Sequence, residues 1–88
     1  MLLFDVLGQR WTMRILWELR GQPLTFRALR ERCDDVSPTV LNSRLKTLRD
    51  LDLIELTDAG YAYTAWGRQL SGHLVKLHAW AEAWAERN

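Results

Sequence analysis

Cysteine and histidine are scarce in this sequence, and each scarcity removes a class of protein. The single cysteine, Cys33, cannot close an intramolecular disulfide, which fits a reducing compartment. The two histidines, His73 and His78, stand five residues apart. On a helix that turns them about 140° out of line, so they do not converge on a metal. Ser71 and His73, two apart, face away from each other and make no nucleophile–base pair. A Gly-rich phosphate loop is also missing. No catalytic, cofactor or metal residue is therefore expected, and the chain does not read as an enzyme. Long apolar runs are lacking too: none approaches the ~20 residues that cross a bilayer. Met1 precedes only LLFDVLG, interrupted by Asp5 and too short for a secretory signal. A cytoplasmic protein is the expectation.

The net charge is only +1, which by itself excludes neither nucleic acid nor protein as a partner. Its distribution is more informative. Arg10, Arg14, Arg20, Arg27, Arg30, Arg32, Arg44, Lys46 and Arg49 face only Glu18, Glu31, Asp34 and Asp35 over the stretch 10–49. From Asp50 onward the acids outnumber the bases. A basic face on one half of the molecule follows, with ordinary solvated arginines as the alternative. At 88 residues, 48% of them hydrophobic and 26% charged, the chain has the composition of one folded domain spanning 1–88. Five tryptophans point to an aromatic core or a buried interface.

The stretch SPTVLNSRLKTLRDLDL, Ser37 to Leu53, organises the rest. Ser37 is a candidate N-cap and Pro38 stands at the first helical position, so a helix of about 37–50 is expected. Leu41, Leu45 and Leu48 form one apolar stripe. The other side carries Thr39, Asn42, Ser43, Lys46 and Thr47, with Arg44 and Arg49 on the flanks. Short polar side chains reach base edges and cations contact phosphates, which reads as the recognition helix of a helix-turn-helix. Ahead of it, Leu2–Leu7 and Trp11–Arg20 carry helical patterns, the second stopped by Gly21 and Pro23. Thr25 can cap a further helix, Phe26–Arg32, and Cys33 falls on the core side of its end. A buried structural cysteine is expected there rather than a reactive thiol.

After Leu53 the period changes from helical to alternating. Ile54 and Leu56, then Tyr61 and Tyr63, flank Thr57-Asp58-Ala59-Gly60, a β-hairpin over about 54–64. A hairpin after a recognition helix is the wing of a winged helix. From 65 to 87 the pattern is helical again. Leu70, Leu74, Leu77, Ala81 and Trp84 repeat by four and three like a coiled-coil seam, and Trp80 widens the stripe. So long a helix outruns the core that some sixty residues can build, and an identical chain is its simplest cover. The alternative is a helix folded back and wholly buried in the monomer. The fold class is thus mainly α with a small β-hairpin: a winged helix-turn-helix with a long C-terminal dimerisation helix.

Several stretches together resemble the HxlR-type winged helix-turn-helix regulators, relatives of the MarR group. They are G-x-[RK]-W-T at Gly8–Thr12, I-L-x-x-L from Ile15, F-x-x-L at Phe26–Leu29 and S-P-x-V-L-x-x-R-L-x-x-L at Ser37–Leu48. Y-T-x-x-G-R-x-L at Tyr63–Leu70 and A-W-A-E at Ala79–Glu82 complete the set. The resemblance implies a dimeric DNA-binding transcription factor whose terminal helices build the dimer. Two departures stand out. Family members usually have a longer N-terminal segment, often with a cysteine, whereas this sequence starts just before Leu7-Gly8. The wing is short and carries Glu55 and Asp58 where the family usually supplies Arg or Lys.

The expected function is a homodimeric, sequence-specific regulator binding double-stranded DNA at a palindromic operator. Ser37, Thr39, Asn42 and Ser43 are the candidates for base reading or register, and Arg27 and Lys46 for phosphates. Arg44 is open between DNA and an intramolecular ion pair with Asp50 or Glu55. Leu70, Leu74, Leu77, Trp80, Ala81 and Trp84 are the candidate dimer interface. The rival reading is a protein-interaction module on a winged-helix scaffold that no longer binds DNA. The acidic wing favours it; the polar, cationic face of the Ser37 helix favours DNA.

Overall fold

A computed structural model describes residues 2–87. Its elements are α1 (Leu2–Leu7), α2 (Thr12–Glu18), α3 (Phe26–Arg32), α4 (Pro38–Asp50), β1 (Ile54–Thr57), β2 (Gly60–Tyr63) and α5 (Ala65–Ala85). This is the mainly helical architecture with one antiparallel hairpin that the pattern predicts. α2 is shorter than its apolar period suggests. Trp11 stands outside it with φ 78°, and the chain leaves the helix at Leu19. Apolar spacing reports which side faces the core, and it runs on through flanking turns where the helical hydrogen bonds have ended.

Fully buried leucines and an isoleucine from α2, α3 and α4 (Ile15, Leu16, Leu29, Leu41, Leu45, Leu48) form the centre of the core. Cys33 and Val36 at the α3–α4 turn belong to the same core, and Leu53 and Ile54 carry it into the hairpin. Three helices whose apolar stripes meet in this way satisfy one another, and the two strands lean on them. The hairpin pairs Ile54 with Tyr63 and Thr57 with Gly60, leaving Asp58-Ala59 as its two-residue loop. Neither loop residue has a positive φ. Thr57 closes the turn instead, its hydroxyl donating to the Gly60 carbonyl at 2.8 Å and accepting from Ala59 N–H at 3.2 Å. A contact with no counterpart in the sequence reading joins Leu24 to Tyr61 as an isolated bridge, through two hydrogen bonds of 3.0 and 2.7 Å. The hairpin is thereby tied to the segment before α3. Two strands alone are marginal in water, so this third contact matters.

The entry into α5 is the tightest joint in the fold. Thr64 accepts from Gly67 N–H as N-cap and donates its hydroxyl to the Asp52 carbonyl at 2.6 Å. Its own N–H donates to Leu53 O at 3.2 Å. Gly67 sits so close beneath this crossing that a Cβ there would lie 1.9 Å from Leu53 O. Tyr63, half-buried, donates its hydroxyl to the Leu16 carbonyl and so ties β2 to α2. The Y-T-x-x-G pattern is therefore one welded corner, with a role for each named residue.

Gly67→Ala should cost at least about 2–3 kcal/mol, because the blocking atom is backbone and cannot rotate away. In an 88-residue chain that is a fall in Tm on the order of 10–20 °C. Gly72→Ala is the control: in the same helix, with nothing within 4 Å of the added carbon, it should raise stability by about 0.5–1 kcal/mol. Two thermal melts decide it.

Candidate nucleic-acid interface

The turn between α3 and α4 sets where α4 points. Asp34 and Asp35 both adopt left-handed backbone, φ 56° and 58°. Aspartate tolerates that region better than most residues because its short side chain bonds locally. Arg30 spans the turn from inside: its Nε donates to the Val36 carbonyl at 2.8 Å and Nη2 to the Asp35 carbonyl at 3.4 Å. Val36 is buried as the turn's anchor. Ser37 Oγ then accepts from Val40 N–H, and Pro38 opens α4.

α4 presents two unlike faces. Leu41, Leu45 and Leu48 lie fully inside the core, while Ser37, Thr39, Asn42, Ser43, Lys46, Arg49 and Asp50 are exposed. Thr39, Asn42, Ser43 and Lys46 thus form one continuous outer row, as their spacing predicts. Ser37 has its oxygen engaged in capping. Lys46 meets Asp50 at 2.8 Å and Arg27 meets Glu31 at 3.4 Å, both pairs open to solvent. Such exposed i,i+4 pairs are weak and give way to a phosphate. Arg49 is absent from the expected set. It is exposed and makes no hydrogen bond or ion pair among the described residues, which leaves it the freest cation on the helix. Its place on the stripe's flank was the available signal.

For Arg44 the ion-pair alternative is corrected. The residue pairs with neither Asp50 nor Glu55 and does not stand in the outer row. It is half-buried, and its Nε donates to the Arg10 carbonyl at 2.8 Å. At 100° per residue Arg44 lies about 60° from Leu41, on the flank away from the hairpin, where the Arg10 carbonyl rather than an acid comes within its reach.

The wing bounds a groove of about 810 Å³ along α4, lined by Asn42, Lys46 and Arg49 on one wall and by Glu55, Leu56 and Tyr61 on the other. Glu55 and Asp58 are both exposed, and Asp58 stands at the tip. The wing is short and negative at its end.

Far from this face, α5 projects from the body. The molecule measures 44 Å along its longest axis against 26 and 24 Å across. The structure divides the stripe expected there. Leu70 and Leu74 pack against the core, and Ala81 is half-buried in a groove with Met13 and Trp17. Trp66, Leu77, Trp80 and Trp84 stay largely exposed. Trp80 and Trp84 stack at 6.0 Å with Arg87 over the second ring. The uncovered residues are therefore Trp66, His73, Leu77, Trp80 and Trp84, on a row that passes Leu70 at the edge of the core and is rotated away from Leu74 and Ala81. His78, which sequence spacing removes from any metal site, stacks on Trp17 and meets Glu82 at 3.1 Å.

With this geometry in place, kinship can be assigned. Residues 6–88 match the family described as HxlR-like helix-turn-helix. The chain belongs to this family. It is 28% identical over 90 residues to the HTH-type transcriptional regulator YodB of Bacillus subtilis (strain 168), covering 94% of this chain and 80% of that one. The crystal structure of quinone-bound YodB superimposes with a TM-score of 0.82 at 30% identity, covering 91% of each chain. A "possible HxlR family transcriptional factor" from Thermoplasma volcanium GSS1 gives 0.83 at 27% identity over 98% of this chain and 83% of that one. The HxlR family consists of transcriptional regulators, and this chain is one of that type. No helix among the described residues is long and apolar enough to cross a membrane.

Cys33 is fully buried at the end of α3, as its position predicts. Burial pushes its thiol pKa up, with nearby Arg14 only partly offsetting the effect. A protonated, enclosed thiol is a poor nucleophile. In native buffer near neutral pH a disulfide reagent should label it only as fast as the protein opens, and at once in denaturant. The folded state also holds this proton longer than the unfolded chain. Stability should therefore be intact at neutral pH and decline as pH rises above the unfolded thiol value of about 8.5. Fast labelling of the native protein contradicts both expectations.

Proposed function

We propose that this HxlR-type regulator acts as a cytoplasmic homodimer that places α4 of each copy in the major groove of a palindromic operator. The observation that carries the reading is the outer row of α4. Thr39, Asn42 and Ser43 are short, exposed and uncommitted to the core, on a helix whose inner face is fully buried. That is the arrangement needed to bring hydrogen-bonding groups to base edges. Lys46 in the row, Arg49 on its flank and exposed Arg27 on α3 supply phosphate contacts. Ser37 sets register through the helix N-terminus it caps. A twofold pair would read half-sites about 34–36 Å apart. The described residues act together as one winged helix-turn-helix unit, and α5 supplies the symmetric contact through Leu70, Leu77, Trp80 and Trp84. Leu74 and Ala81 serve that contact from its edge.

One observation favours a second reading. With Glu55 and Asp58 exposed on the wing, phosphates within a Debye length of about 8 Å repel it. A protein-interaction module would keep the scaffold and lose DNA. Salt dependence separates the two. Lys46→Ala should weaken binding to every duplex alike and lower the salt slope by about one unit. Asn42→Ala should cost about 1–3 kcal/mol on a selected duplex and little on a random one. No binding to either duplex at low salt would move the interaction module ahead.

The dimer has its own test. Leu77 and Trp84 are exposed in the single chain, so replacing them leaves the core intact. Leu77→Ala with Trp84→Ala should convert the protein to a monomer by light scattering at micromolar concentration, with little change in circular dichroism. A variant that stays dimeric places the interface elsewhere.

A further inference from the structure

Arg10 stands between α1 and α2, where the chain is wound tightly by short-range hydrogen bonds: Gly8 N–H to Phe4 O, Gln9 N–H to Val6 O, Thr12 N–H to Gln9 O. The next residue, Trp11, has left-handed backbone, which is costly for a bulky side chain. This conformation turns the Arg10 carbonyl out of the α2 ladder. The first helical carbonyl to accept there is that of Trp11, from Ile15. The Arg10 carbonyl receives no backbone N–H among the described residues; its donor is Arg44 Nε, 34 residues away. A fixed acceptor on one element and a planar donor on another make a directional joint, unlike the non-directional packing of leucines.

The place of that joint on α4 gives it a consequence. Taking Leu41 as the origin at 100° per residue, the leucine stripe spans about −20° to 40°. Arg49 and Asn42, which line the wing groove, fall near 80° and 100°; Arg44 falls near −60° on the opposite flank. The hairpin braces one side of the helix and Arg44 the other. Leucine packing alone leaves rotation about the helix axis softly determined. A rotation of some 20° would move the tips of Thr39, Asn42 and Ser43 by an ångström or more, enough to break a bidentate contact to a base. Repulsive wing charges deprive the complex of a second contact that could restore alignment.

We propose that Arg44 is a positioning residue for DNA recognition: through the Arg10 carbonyl it fixes the rotation of α4, and it does not contact DNA. This rests on the DNA reading above. It differs from a phosphate role in a measurable way, because a residue that touches no phosphate contributes nothing to counterion release.

The test compares wild type with Arg44→Gln on two probes of equal length: a duplex selected from a random library by the wild-type protein, and one of random sequence. Both proteins are assayed at 10 °C, well below their melting points. The expected result is about a tenfold loss on the selected duplex, less than twofold on the random one, and equal salt slopes for both proteins. A slope lower by about one unit, with equal losses on both probes, would make Arg44 a phosphate contact and overturn the proposal. A lowered Tm with both affinities unchanged would reduce the bond to a structural one and overturn it as well. Should Arg44→Gln fail to fold, Arg44→Lys is read by the same criteria, since it keeps the charge and loses the planar donor. Failure of the wild type to bind any duplex would instead sink the DNA reading, and this proposal with it.

Discussion

The face that α4 presents to a partner depends on the five-residue turn between α3 and α4. Two consecutive left-handed aspartates reverse the chain there, and a single arginine makes the reversal rigid. Without Arg30 on the Asp35 and Val36 carbonyls, two turn carbonyls beside the core would lack a protein donor. The bond to the Val36 carbonyl is part-buried and that to the Asp35 carbonyl exposed, so the first carries most of the effect, on the order of 1–3 kcal/mol. Val36 then drops into the core, Ser37 caps, and α4 leaves with its leucines inward and its polar row outward. The turn thus sets where α4 begins and which way it leaves, before any residue of the outer row is reached. The turn also explains why Cys33 is enclosed: it closes α3 immediately before the reversal, directly over the core.

The same use of arginine recurs, and it is why charge counting was a poor guide to the interface. Arg14 donates to the Arg32 carbonyl and bonds Glu18; Arg20 donates to the Trp17 carbonyl; Arg44 donates to the Arg10 carbonyl. With Arg30, these are four of the nine basic residues in the half that sequence reasoning marked as positive. Each is held at a place where the chain leaves regular structure and exposes a carbonyl. A guanidinium suits that task through its several fixed donors on a long stem. Arg32 leans on Glu18 as well. The cations left for a polyanion are few, and Arg10, Arg27, Lys46 and Arg49 are the ones the surface leaves available. A sequence shows the sign of a side chain but not what its nitrogen touches, so carbonyls, which every residue carries, were invisible as partners.

What was legible in the chain were features written in local chemistry. The Ser37-Pro38 start, the leucines at 41, 45 and 48, the Thr25 cap and the hairpin turn within Thr57–Gly60 are each settled by neighbours within a few positions. They reappear with the expected residues in the expected roles. The features that were not legible depend on distant contacts. The Leu24–Tyr61 bridge joins residues 37 apart through backbone atoms that no side-chain pattern encodes. The seam of α5 is subtler. A heptad stripe about 100° wide contains two overlapping four-and-three rows, and the sequence offers both. Which row stays outside is decided by where α2 lies, and Trp17 against His78 fixes that choice.

The wing completes the physical picture, because its charge transfers the burden of recognition. In a winged helix two elements approach the duplex, and each restrains how the other lies. Here β1 and the loop bring Glu55 and Asp58 to that edge, and no cation among the described hairpin residues offsets them. The duplex must then be held by α4 and its immediate flanks, or not at all. Fewer backbone contacts mean a weaker sequence-independent term, so discrimination rests on how well a few short side chains are aligned. Alignment of that kind is bought by rigidity in the scaffold rather than by contacts to the ligand. The welded corner at Thr64–Gly67, the braced turn at Arg30 and the joint from Arg44 to the Arg10 carbonyl are all of this type. They stiffen the frame that carries α4, and on the proposed reading its outer row alone is left to read the bases.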